Sequence, residues 1–177
     1  PDQLQHPIVR EALRLLDLDI PMDIATMADV PAGNGLGSSG TFTVALLHAL
    51  HLIKGNEASH EQLASEAAHI EIDLLGRPVG KQDHYAAAFG GLNAIHFLED
   101  GNVTVRPLDC PNSPQQELFP SLMLLYTGSS RDASNVLTEQ REKADDLADD
   151  LTAMRGHARE LERMLGNGFQ ADGLWRV

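Results

Sequence analysis

The stretch Asn34-Gly35-Leu36-Gly37-Ser38-Ser39-Gly40 sets three glycines and two adjacent hydroxyls directly ahead of an apolar run. Glycine is used where backbone must come close to something a side chain would exclude. A helix start adds unpaired amides and the positive end of a dipole, which favours an anion by about 0.3–1 kcal/mol, more when partly buried. A serine hydroxyl there can also ligate Mg2+. An ordinary capped helix after a tight turn uses the same residues, and the stretch alone leaves both readings open. It formally fits G-x-G-x-x-G, but the preceding strand candidate alternates in polarity and is separated from the loop by residues 29–32. A dinucleotide-binding loop instead follows its strand at once. No lysine follows the last glycine, so it is not a Walker A loop.

Two acidic residues stand out further on. On a helical wheel Leu63, Ala67, Ile70 and Leu74 form an apolar stripe, and Glu71 falls within that surface. A carboxylate there requires a cation or strong donors. An arginine partner would serve, as would a cleft, including one that faces a metal. Glu66 and Asp73 lie nearer the solvated side. In "GKQDHY", Asp83 leaves a glycine loop two residues after Lys81. Its plainest role is to N-cap the short helix that follows. His48-x-x-His51 lacks two further ligands nearby and reads as a polar helix flank. Asp145, Asp146, Asp149 and Asp150 read as a solvated acidic face.

Around these residues lies a 177-residue chain, 42% hydrophobic, with a net charge of −13. That length buries roughly 70% of the unfolded surface. With three lysines there is no basic stripe to displace counterions, which argues against nucleic acid as a partner. No apolar run reaches membrane-spanning length and no leader is readable, so no membrane role is expected. The single cysteine, Cys110, fits a reducing cytoplasm.

Periodicity predicts helices over His6–Leu16, Ser38–Ile53 and Ser59–Leu75, the last opened by a Ser59-to-Gln62 capping box. A strand is expected over residues 20–26, a helical turn over His84–Ala88, and a hairpin pairing 93–98 with 103–108. Pro111, Pro114 and Pro120 mark a boundary, followed by a buried strand, "SLMLLYTG". A long helical pattern runs from Leu137 to Leu165, with Gly156 as a point where it could divide. The sum is an α+β fold.

The order and spacing of these signals resemble the GHMP kinases (galacto-, homoserine, mevalonate and phosphomevalonate kinases). "PAGNGLGSSG" resembles their second motif. "EIDLLGRPVGKQD" resembles the segment running from a Mg2+-binding Glu to a catalytic Asp. "GKQDHYAAAFGGLN" and "YTGSSRDASNVL" are most similar to the sugar-1-kinase branch. The resemblance implies a ribosomal-protein-S5-like part over residues 1–113, without its leading strands, and the start of a ferredoxin-like domain over 114–177. It implies transfer of the ATP γ-phosphate to a sugar hydroxyl, in this branch the anomeric hydroxyl of a heptose 7-phosphate-like substrate.

The roles it implies are residue-specific. Gly33, Gly35, Leu36, Gly37, Ser38, Ser39 and Gly40 would surround the ATP phosphates, while Ser38, Ser39 and Glu71 would hold Mg2+. Asp83 would act as the base, with Lys81 beside the γ-phosphate. Gln82, Tyr126, Thr127, Gly128 and Arg131 would meet a small-molecule sugar or sugar phosphate. A homodimer is left open. The family's first and third motifs have no counterpart here, so a fragment with trace activity is expected. The alternative is a noncatalytic nucleotide-binding remnant. Gly40 stands where the family more often has Ala, which would loosen the helix start.

Overall fold

Helix α2 (Ser38–Ile53) is the apolar axis of the N-terminal part. The computed structural model describes residues 3–29, 33, 35–108, 119–125, 137–138, 142–143 and 146–166. They fall into two compact units, Pro1–Gly90 with Ser129–Thr138, and Gly91–Gly128 with Glu139–Val177.

In the first unit, α1 (Pro7–Leu15) starts on a proline at its first turn and lays Ile8, Val9, Ala12 and Leu13 into the core. Leu47 and Leu50 of α2 are fully buried there, each contributing roughly 1.5–3 kcal/mol. Helix α3 (His60–Ala68) begins where the Ser59 hydroxyl accepts the Gln62 amide at 3.1 Å. The reciprocal half of the expected capping box is absent, because the Gln62 side chain donates to Glu66 instead. The expected helix to Leu75 also changes character. Residues His69–Leu74 wind as a π-helix, with the Leu75 amide reaching the Ile70 carbonyl five residues back at 3.0 Å. This wider turn keeps Ile70 and Glu71 inside and swings Leu74 out to 45% exposure. Helix α4 (Gln82–Phe89) closes the unit by packing on α2 and α3.

The strand expected over residues 20–26 does not form. A strand needs a neighbour to pair its backbone, and no strand among the described residues lies beside it.

The second unit contains the expected hairpin, β1 (Asn93–Phe97) against β2 (Val103–Pro107), antiparallel with Ile95 opposite Val105. Its turn is closed by Asp100, whose carboxylate accepts the Asn102 amide at 2.9 Å. Helix α5 (Ala148–Gly166) runs unbroken through Gly156; an internal glycine costs only about 1 kcal/mol relative to alanine. Glu162 on α5 pairs with Arg106 of β2. The "SLMLLYTG" stretch is not a buried strand where it is described. Phe119–Ser121 is a 3-10 turn and residues 122–125 are exposed, again without a pairing strand among the described residues. No helix of the described residues is long and apolar enough to cross a membrane.

Candidate functional site

Glu71 is 1% exposed, and both of its oxygens are engaged. Oε2 accepts the Ser39 hydroxyl at 2.5 Å and Arg77 Nη1 at 2.7 Å. The same Arg77 nitrogen also donates to Ser39 Oγ at 2.8 Å. Oε1 lies 2.8 Å from Thr43 Oγ1 and 3.3 Å from His84 Nε2. Burial opposes ionisation of Glu71, but the bonds from His84, Ser39, Thr43 and Arg77 outweigh it and hold the pKa at about 2. Glu71 is therefore a carboxylate at neutral pH, and His84 Nε2 must carry the proton that faces it. His84 Nδ1 is buried without a hydrogen-bond partner.

Each partner comes from a different element. Ser39 and Thr43 stand one helical turn apart at the start of α2, so their side chains share a face. Arg77 follows Gly76, whose φ of +61° turns the chain out of the π-helix, and its amide bonds the Glu71 carbonyl at 2.9 Å. His84 lies in the first turn of α4. Of the two loop serines, it is Ser39 that meets Glu71. A carboxylate on that apolar stripe calls for an arginine or strong donors, and Thr43, Arg77 and His84 fill these roles without having been identifiable from spacing. The signal available was a threonine four residues after Ser39 in an otherwise apolar helix.

The start of α2 is held by Gly37, which has φ +66° and no side-chain cap. Asp83 packs directly against it. A Cβ on Gly37 would sit 3.0 Å from Asp83 Cγ and 3.2 Å from Oδ2. A Cβ on Gly40 would lie 3.1 Å from Asp83 Cβ and 3.3 Å from the His84 amide nitrogen. Gly40 thus permits the close approach of α2 to α4, a role its expected loosening of the helix did not include. Asp83 does not N-cap α4. Lys81 occupies the cap position and Asp83 the second helical residue, leaving its exposed carboxylate beside the uncapped end of α2.

Among the remaining candidates, Gly33, Gly35 and Leu36 are exposed in the loop before α2, Ser38 is partly buried in its first turn, and Gln82 is exposed beside Asp83. Lys81 lines a small cavity of about 110 Å³ with Ser65, His69, Asp73 and Tyr85. Tyr126, Thr127, Gly128 and Arg131 lie outside the described residues. His48 is exposed, but His51 is not part of a polar flank: it is buried, with Nε2 2.7 Å from Glu66.

A glycine turn opening a central helix, a buried carboxylate bonded to its serine and an aspartate against its glycines all lie within residues 7–91. That segment matches the GHMP kinases N terminal domain. Residues 7–91, just under half of the chain, therefore carry the N-terminal domain of the GHMP kinases. The chain is 32% identical over 153 residues to D-glycero-alpha-D-manno-heptose 7-phosphate kinase of Campylobacter jejuni, covering 86% of this chain and 45% of that protein. It is also 38% identical over 72 residues to mevalonate kinase of Methanothermobacter thermautotrophicus, covering 41% of this chain and 23% of that protein. Among solved structures it is similar to a D-glycero-D-manno-heptose 1-phosphate kinase from Bacteroides thetaiotaomicron. That likeness has a TM-score of 0.55 and 35% identity, over 62% of this chain and 39% of the other. The chain thus spans less than half the length of each of these relatives.

Proposed function

We propose that the chain carries the nucleotide and base half of an ATP-dependent sugar kinase that phosphorylates a sugar hydroxyl, in the first instance the anomeric hydroxyl of a heptose 7-phosphate-like sugar. The observation that carries this reading is the Asp83 carboxylate seated against Gly37 at the uncapped start of α2. Phosphoryl transfer depends mainly on positioning and charge stabilisation, and that place puts a base beside an anion-binding helix end.

In this reading the amides from Gly35 to Gly40 cradle the phosphates, with Gly33 and Leu36 shaping the approach. Asp83 accepts the proton of the attacking hydroxyl, a role worth about 10²–10⁴ in rate. Lys81 and Gln82 border the reacting groups, and Tyr126, Thr127, Gly128 and Arg131 belong to the sugar side. Ser39 Oγ and ionised Glu71 are hard oxygen donors of the kind Mg2+ takes, with Ser38 adjoining them. Bound there, Mg2+ would neutralise charge on the β- and γ-phosphates. No group of three or more His, Cys, Asp or Glu side chains among the described residues could hold a metal by itself. Phosphate and water would therefore supply the other ligands. The domain division at residues 113 and 114, with S5-like and ferredoxin-like parts, belongs to the same reading, as does a cytoplasmic setting.

The test is Asp83→Asn in a complete kinase containing this segment. Turnover should fall at least about 10²-fold while Mg-ATP affinity stays within about twofold, because a base acts on the transition state. Turnover that survives the change would remove the base role. Mg-ATP binding by the 177-residue chain without sugar-dependent turnover is expected of a fragment; the noncatalytic reading requires the complete polypeptide to be silent too.

A further inference from the structure

One nitrogen of Arg77 lies 2.7 Å from Glu71 Oε2 and 2.8 Å from Ser39 Oγ. The Ser39 hydroxyl and Glu71 Oε2 are themselves hydrogen-bonded, and the guanidinium nitrogen caps this oxygen pair at the place that the kinase reading gives to a divalent cation. We propose that Arg77 is a tethered competitor for that cation, and that its side chain must swing away before a metal is held between Ser39 and Glu71. This inference rests on the proposed kinase reading.

The surroundings permit the exchange. The Arg77 side chain is 32% exposed, whereas the Glu71 side chain is 1% exposed. Arg77 thus approaches the carboxylate from the solvent side and has somewhere to go. Its backbone is fixed independently by the hydrogen bond that its amide donates to the Glu71 carbonyl, so release of the side chain need not unwind the π-turn. Thr43 and His84 hold the other carboxylate oxygen throughout. Glu71 therefore keeps its orientation while its Oε2 partner changes. Without a metal, the arginine supplies the positive charge that a buried carboxylate needs. With a metal, the same oxygens are satisfied by the ion. Occupancy by either cation excludes the other, so metal affinity is reduced by the stability of the arginine contact.

The experiment is Mn2+ binding to the 177-residue chain without nucleotide, followed by electron paramagnetic resonance. Arg77→Gln should bind Mn2+ about 10- to 100-fold more tightly than the unmodified chain, the range expected from removing a competing charge-assisted contact. Arg77→Lys, which keeps a cation, should remain near the unmodified value. The gain should vanish in Arg77→Gln combined with Glu71→Gln. In the unmodified chain, saturating Mg2+ should also shift the Arg77 Nε–H resonance, a reading that does not depend on any variant folding. Mn2+ binding that is no tighter in Arg77→Gln, or an Arg77 resonance indifferent to Mg2+, overturns the proposal. If the unmodified chain still binds Mg-ATP in that case, only the role of Arg77 fails. If it binds no Mg-ATP either, the kinase reading fails with it.

Discussion

The two ends of α2 each meet a glutamate from the next helical segment, and the two meetings differ in kind. At the C-terminal end, buried His51 faces Glu66, which sits on a regular α-helical turn, is 20% exposed and receives one further bond from Gln62. At the N-terminal end, Glu71 sits on a π-turn, out of solvent, with a donor at every acceptor position: Ser39, Thr43, Arg77 and His84. The first is a pair that closes a helix–helix contact, with water still reaching one partner. The second is a charge held ionised inside the protein, beside a glycine turn and an aspartate. Burying a carboxylate costs free energy, so four donors converging on one mark a position where a permanent negative charge is used.

The largest expected difference between the two ends is in stability. Glu71→Gln should lower the unfolding free energy by about 3 kcal/mol at neutral pH, because it removes the charge that answers the arginine and both hydroxyls. The pH dependence carries the same information. The folded pKa of about 2 lies below the ordinary glutamate value of 4.5, so the Glu71 contribution is complete above about pH 4.5 and is lost as pH falls toward 2. Urea unfolding across that range should show a steep acid limb that Glu71→Gln flattens. An unchanged limb would mean that the carboxylate is not held as described.

The smaller effect belongs to the other end. Glu66→Gln removes a partly exposed partner and should cost about 1 kcal/mol or less, with Mg-ATP affinity unmoved. A loss of nucleotide binding in that variant would erase the distinction between the two ends.

Much of this arrangement was legible in the residues. The apolar spacing that forms α1, α2 and α3 reads directly, and so does the hairpin around Asp100 and Gly101. Glu71 was visible as a carboxylate on an apolar stripe. The π-turn was not, since a count at 3.6 residues per turn places Leu74 on the buried face, where the wider winding puts it outside. Two strand expectations failed for a common reason: alternation or apolar character marks a segment that could pair, whereas pairing depends on a neighbouring strand elsewhere in the chain. Arg77 read as part of a glycine-bounded loop, because its role depends on a fold that returns it to the serine of α2. Asp83 had two readings in the sequence, and the helix cap is removed by the start of α4 at Gln82, which makes Lys81 the cap and Asp83 the second helical residue.

The proposed function requires nucleotide at the glycine-turn end of α2. Backbone amide resonances of the 177-residue chain, followed while Mg-ATP is added, address this residue by residue. Saturable shifts are expected at Gly35, Gly37, Ser38, Ser39, Gly40 and Asp83, with His51 and Glu66 still. Shifts centred on His51 and Glu66, or no saturable shift in the glycine turn at millimolar Mg-ATP, would contradict it.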